Sequence, residues 1–303
     1  MSIQNYVYTA DRETIRRYLS VVVYKFRNLS PMVQLAAAYL FGIIVVGLLG
    51  PEFAPYEPGA QHLNDDGSLR NTEAPSRDHW LGTTNRGEDV FSRLVVGARP
   101  TVIAGLLGGG IVITIGVTVG VIAGYFGGKI DSVLMRFTDL VYGVPVIPTA
   151  IVLAAFFGTG FITSIIAIGL VLWRGAARVI RSQVLQIKQR PFVQAAQATG
   201  ASTERIIFRH IFPNVITMAI LFFALAVADV IIIQAGLAFI GISDPFVPSW
   251  GIMLRNAYQG GSLGRAFWWS IPPGVLIATT VLASYTIGRS LESKDTNANA
   301  LTN

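Results

Sequence analysis

Thr101-Val-Ile-Ala-Gly-Leu-Leu-Gly-Gly-Gly-Ile-Val-Ile-Thr-Ile-Gly-Val-Thr-Val-Gly-Val-Ile-Ala-Gly-Tyr125 is a run of 25 residues without a charge. A helix rises 1.5 Å per residue, so about 20 such residues cross ~30 Å of hydrocarbon. Working outward, Val33–Leu49, Val133–Phe157, Phe161–Val184, Val215–Phe239 and Ile271–Ile287 read the same way, which makes about six spans. Composition agrees. Of 303 residues 52% are hydrophobic and 13% charged, against ~25% charged in soluble domains, and the mean hydropathy is +0.55. The expected fold class is all-α and polytopic, and an ordinary cytosolic enzyme is excluded.

The charges that remain are placed unevenly. With the N-terminus inside, segments 1–32, 125–136, 174–213 and 288–303 carry 16 of the 23 Lys and Arg, and segments 51–99 and 241–270 carry 7. Basic residues accumulate on the cytoplasmic side, so both termini are expected there. The net charge of +6 then marks cytoplasmic surface, and no nucleic-acid stripe is present. Ile15, Tyr18, Leu19, Val22 and Phe26 recur at helical spacing, with Arg12, Arg16, Arg17, Lys25 and Arg27 on other faces. They read as an amphipathic helix in the membrane interface or as a solvated helix. A signal peptide is disfavoured by the long polar leader and by the lack of a small-x-small cleavage site after Gly50-Pro51. The expected division is an amphipathic segment 1–32, a first span 33–50, an extracytoplasmic loop 51–99, a transmembrane core 100–291 with a cytoplasmic loop 185–213, and a tail 292–303. No cysteine occurs, which removes disulfides, thiol nucleophiles and Cys-ligated metals.

Two stretches imitate ligand sites. His62, Asn64, Asp66, Gly67 and Glu73 match the spacing of a calcium loop, but histidine at its first position spoils a site that needs oxygen ligands. Gly124–Lys129 imitates a phosphate loop. Glycine is missing at Ala123, and Ile130 stands where Ser or Thr must reach Mg²⁺. Neither a metal nor a nucleotide site is expected in this chain.

The informative stretch is Arg190-Pro-Phe-Val-Gln-Ala-Ala-Gln-Ala-Thr-Gly200, followed by Ala-Ser-Thr-Glu-Arg-Ile-Ile-Phe-Arg-His-Ile-Phe-Pro213. Pro191 suits a first helical turn and Gly200 a left-handed C′ position, predicting a short helix of about nine residues between them. Ser202 is placed to cap the next helix, with Glu204 in its positive first turn. A helix this short needs tertiary support. Small Ala195 and Ala196 allow close approach by a partner, and Arg205 and Arg209 offer charge-assisted contacts. A surface loop without a partner fits the same residues.

Gln194-Ala-Ala, Gly200 and Ile211-Phe-Pro213 resemble the EAA…G…I-x-LP loop of permease subunits of binding-protein-dependent ABC importers. The match narrows to the C-type subunit of the peptide-permease family on four further segments. These are His79-Trp-Leu-Gly-Thr-Thr-Asn-Arg-Gly-Glu-Asp-Val-Phe-Ser-Arg-Leu94 with Gly97-Ala-Arg99, Gly124-Tyr-Phe-Gly-Gly-Lys-Ile-Asp-Ser-Val-Leu-Met-Arg-Phe-Thr-Asp139, Gln234-Ala-Gly-Leu-Ala-Phe-Ile-Gly241, and Pro248-Ser-Trp-Gly251. The resemblance implies a coupling helix docking on a cytoplasmic ATPase through Gln194, Ala195, Ala196, Thr199, Gly200, Arg205 and Arg209. It also implies a second, B-type permease subunit, two ATPase subunits, an extracytoplasmic solute-binding protein and surrounding lipid, with ATP and Mg²⁺ on the ATPases and no cofactor here. Peptide is the implied cargo, with oligosaccharides or metal chelates carried by similar members. Two departures stand out. Gln194 replaces the family's Glu, reducing a possible ion pair to a neutral hydrogen bond, and Phe212 replaces Leu.

The candidates for the translocation path are Asp139, Tyr142, Pro145, Pro148, Asp229 and Gln234. Each proline removes a backbone hydrogen bond, which a membrane tolerates where neighbours or water repair the loss. Asp139 reads either as a pathway group or as a structural partner of Arg136, one helical step away. Asp229 has no partner in its own helix and faces either the pathway or the second permease subunit. Arg174, Arg178 and Arg181 form one stripe for lipid phosphate or the ATPase. Gly116, Gly120 and Gly124 form a small-residue ridge for helix packing. A self-sufficient secondary transporter would show inverted repeats or half-helices around ion sites, and an intramembrane enzyme a convergent catalytic set. Neither pattern is found; His62, His79 and His210 all fall outside the spans.

Overall fold

A computed structural model of the chain describes residues 29–300. The basic amphipathic helix expected before the first span lies outside the described residues. The architecture is helical: α1 Pro31–Phe53, α2 Val90–Phe126, α3 Gly128–Tyr142, α4 Val146–Phe157, α5 Phe161–Lys188, α6 Pro191–Ala198, α7 Thr203–Ile206, α8 Phe212–Ile240, α9 Trp250–Gln259 and α10 Phe267–Ala300. A π-helical turn, Ile207–Ile211, joins α7 to α8. Among the described residues, extended pairing is limited to the bridges Leu63–Leu69 and Thr83–Asp89. Among the described residues four helices are long and apolar enough to cross a membrane, and two bent pairs, each taken as one span, bring the number up to six.

The central element is α2, about 55 Å long by its rise. It begins well before the expected Thr101, because Asp89 caps it by accepting from Ser92 N at 2.7 Å and buried Arg93 pairs with Glu88. A charge that would end an apolar run in sequence is thereby neutralised in the fold. Lipid chains are as apolar as leucine, so helices in a bilayer associate through close packing of small residues. The glycine ridge serves that purpose against α5. A Cβ at Gly120 would lie 2.7 Å from Ala177 O, and one at Gly124 would lie 2.7 Å from Val184 Cβ. A second glycine face, absent from the sequence reading, meets α8: a Cβ at Gly108 would stand 2.5 Å from Val230 Cγ1.

The expected third span is not continuous. The chain breaks at Gly143-Val144-Pro145, and α3 and α4 meet at 93°. Pro145 caps α4 with extended backbone (φ −63°, ψ 132°), and having no N–H it cannot donate back to α3 to carry that ladder on. The span after it bends by 40° between Leu172 and Arg174. At that bend the Trp173 indole donates to Leu170 O at 2.9 Å, and a side chain competing for a ladder carbonyl is a recognised source of kinks. Segment 241–270, expected as a loop, contains α9, which Ser249 caps. Trp250 and Met253 on α9 join Val90, Leu94 and Trp269 in one buried cluster.

Candidate functional site

The loop following α5 has the form its sequence suggests, with one unforeseen feature. α6 spans eight residues. Gly200 has φ +77°, Gly200 N donates to Gln197 O at 3.0 Å, and Ala201 N donates to Ala196 O at 3.0 Å. This bond pair with a left-handed glycine closes the helix. Ser202 accepts from Arg205 N, capping α7. Only Val193 of α6 is buried, seated among Val184, Ile187, Ile206 and Ile211. Gln194 and Ala195 are exposed, as are Thr199, Gly200, Arg205 and Arg209; Ala196 is half-buried. Phe208 is 71% exposed beside them. Val193, with half-buried Ala196 and the Phe192 ring 6.2 Å from that of His210, thus seats an eight-residue helix whose outer surface is uncovered. The unforeseen feature is the π turn carrying Arg209 and His210, of a kind that recurs at functional sites.

The Thr199 hydroxyl turns back to Ala195 O (3.1 Å) and Ala196 O (3.0 Å), and Gln194 Nε2 donates to Gln189 O at 3.3 Å. Both side chains are thereby tied to their own loop, while Arg205 and Arg209 form no ion pair among the described residues.

The arginine stripe on α5 is engaged within the chain, contrary to the expectation that lipid or another protein satisfies it. Arg174 donates to the carbonyls of Val141 and, at 3.0 Å, Val144. Arg178 pairs with Asp139 at 2.6 Å, and Arg181 with Asp131 at 2.5 Å. Asp139 is therefore partnered by Arg178 and not by Arg136. Tyr142 lies at the helix break with the guanidinium groups of Arg174 and Arg178 over its ring at 4.7 and 4.2 Å. Pro145 and Pro148 are exposed beside it.

The remaining path candidates are not brought together with these. Asp229 accepts from the Tyr285 hydroxyl on α10, a partner invisible at helical spacing. Gln234 is 2% exposed and donates to Ser243 at 3.4 Å. The exposed candidates Asp139, Tyr142, Pro145 and Pro148 cluster at the α3–α4 break.

At the other end of α2, segment 54–89 is ordered by backbone bonds. Arg70 N donates to His62 O at 2.9 Å and Thr83 N to Glu73 O at 3.0 Å. The calcium-like residues are used otherwise: Asp66 accepts from Ser68 N at 2.9 Å, and the His62 ring packs on Tyr56 and His79 at 4.4 and 4.7 Å. His79 Nδ1 and Asp89 Oδ1 lie 2.8 Å apart, both buried. Burial and the neighbouring His79 hold the His62 pKa below its ordinary 6.5. Among the described residues no three His, Asp or Glu converge as metal ligands.

Residues 116–294 match the family described as the binding-protein-dependent transport system inner membrane component. The chain is 36% identical over 265 residues to the dipeptide transport system permease protein DppC of Bacillus subtilis, covering 86% of this chain and 80% of that protein. It is 33% identical to the oligopeptide transport system permease protein OppC of the same organism (82% and 80% covered). A third relative, at 32% identity, is the glutathione transport system permease protein GsiD of Pectobacterium atrosepticum (84% and 83% covered). The matched region contains helix α6, the π turn and the broken span. The chain belongs to the inner membrane component family of binding-protein-dependent transport systems, as a multi-pass permease subunit.

Proposed function

We propose that this chain is the C-type permease subunit of an ABC importer for short peptides, forming half of a pore with a B-type subunit. The observation that carries the reading is α6, whose one buried side chain is Val193 and whose outer surface is uncovered. A helix so short is marginal by itself, and an outer surface of Gln194, Ala195, Arg205 and Arg209 suits a groove on a cytoplasmic ATPase. Movement of that ATPase pushes on Val193, whose neighbours Val184 and Ile187 belong to α5. The thrust then reaches α5 and the α3–α4 break that its arginines hold.

The positive-inside distribution supports a cytoplasmic position for α6 and both termini, with segment 54–89 outside. ATP and Mg²⁺ belong to the two ATPase subunits, a solute-binding protein delivers the cargo, and this chain performs no chemistry. Peptide cargo rests on the relatives named for dipeptide, oligopeptide and glutathione transport. The test is uptake of labelled di- and tripeptides by proteoliposomes holding the full importer and its binding protein. ATP-dependent peptide uptake supports the reading; uptake of an oligosaccharide in its place, or ATP hydrolysis by the isolated chain, contradicts it.

A further inference from the structure

Outside the coupling loop and the helix break, the most distinctive polar feature is a cleft of about 560 Å³ where segment 54–89 meets α9. Its volume lies within the ~300–1,000 Å³ of small-molecule sites. Arg86, Glu88 and Arg93 line one side, and Arg255, Asn256 and Gln259 of α9 line another.

The charges in this cleft do not balance. Arg93, 7% exposed, is paired with Glu88 and donates to Pro58 O at 3.3 Å, and its buried Nε–H has no partner. Glu88 is also held by the Thr84 hydroxyl at 3.0 Å, so this pair forms a fixed, nearly neutral floor. Arg86 lines the same cleft as Arg93. Neither Arg86 nor Arg255 makes an ion pair among the described residues. The Arg255 guanidinium rests against Gly241, the left-handed residue ending α8. There the partial negative charge of a helix C-terminus holds a cation in place without neutralising it. Three guanidinium groups thus face one carboxylate.

Guanidinium forks match a carboxylate in plane and spacing. Asn256 and Gln259, one helical turn apart, add amide donors and acceptors of the kind a peptide backbone uses. We propose that this cleft is a receiving site for the C-terminal carboxylate of a short peptide, with Arg86 and Arg255 supplying the uncompensated charge. The inference rests on the peptide-importer reading above, and it assigns a recognition step to the permease at the outer end of the path.

The full importer in nanodiscs, without its binding protein, is titrated with trialanine and with trialanine amide, and binding is followed by saturation-transfer NMR. The expected result is a preference for the acid, which R86Q/R255Q loses by on the order of tenfold for each guanidinium removed. R255K, which keeps the charge, retains most of the preference. Arg86 is exposed, so R86Q alone supplies a folded comparison showing part of the loss. Equal binding of acid and amide to the wild-type importer overturns the proposal, as does an undiminished preference in R86Q/R255Q. Weakened capture of the binding protein by R86Q/R255Q, with the wild-type importer binding acid and amide alike, assigns the arginines to protein docking and also overturns it. Peptide uptake by the same wild-type importer, reconstituted in proteoliposomes with its binding protein, is measured in parallel. Uptake without acid preference removes the cleft alone, and absence of peptide uptake removes the importer reading with it.

Discussion

Arg178 pairs with Asp139 at 2.6 Å while its guanidinium lies 4.2 Å from the centre of the Tyr142 ring, so one side chain of α5 holds two residues of the last turn of α3. Arg174, one turn earlier, donates to the carbonyls of Val141 and Val144. Carbonyls at a helix end have no intrahelical partner, and in a membrane they must find one elsewhere. The 93° break in the third span is stable because α5 supplies those partners.

Arg174→Gln should therefore loosen the break. Hydrogen bonds to a charged donor are typically worth ~1.5–3 kcal/mol each, so a loss of about 2 kcal/mol or more is expected. Hydrogen exchange at Gly143 and Val144 should accelerate while α2 is unaffected. Asp139→Asn, at a largely exposed pair, should cost at most about 1 kcal/mol.

Gly120→Val should prevent close approach of α2 to α5, since its Cβ would stand 2.7 Å from Ala177 O and 2.8 Å from Ile180 Cβ. Backbone cannot yield as a flexible side chain can, and overpacking of this kind costs roughly 1–3 kcal/mol or more. Thermal unfolding in detergent should show the loss. Gly110→Val, where a Cβ meets nothing within 4 Å, is the matched control and should behave as wild type.

Gly200→Val tests the end of α6. Open space surrounds the position, but φ is +77°, and a β-branched residue there carries backbone strain of about 1–3 kcal/mol. The expected outcome is peptide uptake falling well below its normal ratio to ATP hydrolysis, with assembly retained. Unchanged uptake per ATP would count against a role for this helix end in coupling.

Acid should weaken segment 54–89. The fold holds His62 neutral, with a pKa below its ordinary 6.5, so as pH falls through about 6.5 the unfolded chain takes up a proton that the native chain resists. The stability His62 contributes is complete above that value and is lost progressively below it. Limited proteolysis of segment 54–89 between about pH 8 and about pH 5 should show the change. His62→Phe, which keeps a ring against Tyr56 and His79, should flatten it.

The helices were legible because an uncharged run long enough to span a bilayer has few other readings, and Pro191, Gly200 and Ser202 carry their helix-end roles locally. The partners of the polar groups were not legible. Asp139 and Arg178 lie 39 residues apart and Asp229 and Tyr285 lie 56 apart, so helical spacing pointed to Arg136 for the first and to nothing for the second. Pro145 signalled a break, yet the angle depends on Arg174 from another helix. The α9 helix was signalled by Ser249 ahead of Ile252, Met253 and Ala257, a periodicity obscured by its short length. The cleft around Arg93 escaped notice because it forms only when residues 86–93 meet residues 255–259. No local pattern distinguishes the π turn.

The central claim, that α6 docks on the ATPase, is tested most directly in a chain that contains no cysteine. A195C therefore introduces a single thiol, on the exposed side of α6. In the assembled importer, with one cysteine placed in turn along the groove of the ATPase subunit, the account predicts a disulfide cross-link from A195C to the ATPase that changes in yield when ATP is bound. An A195C thiol that forms no cross-link to the ATPase at any groove position, or that reacts with a membrane-impermeant reagent only from the outer side, would contradict it.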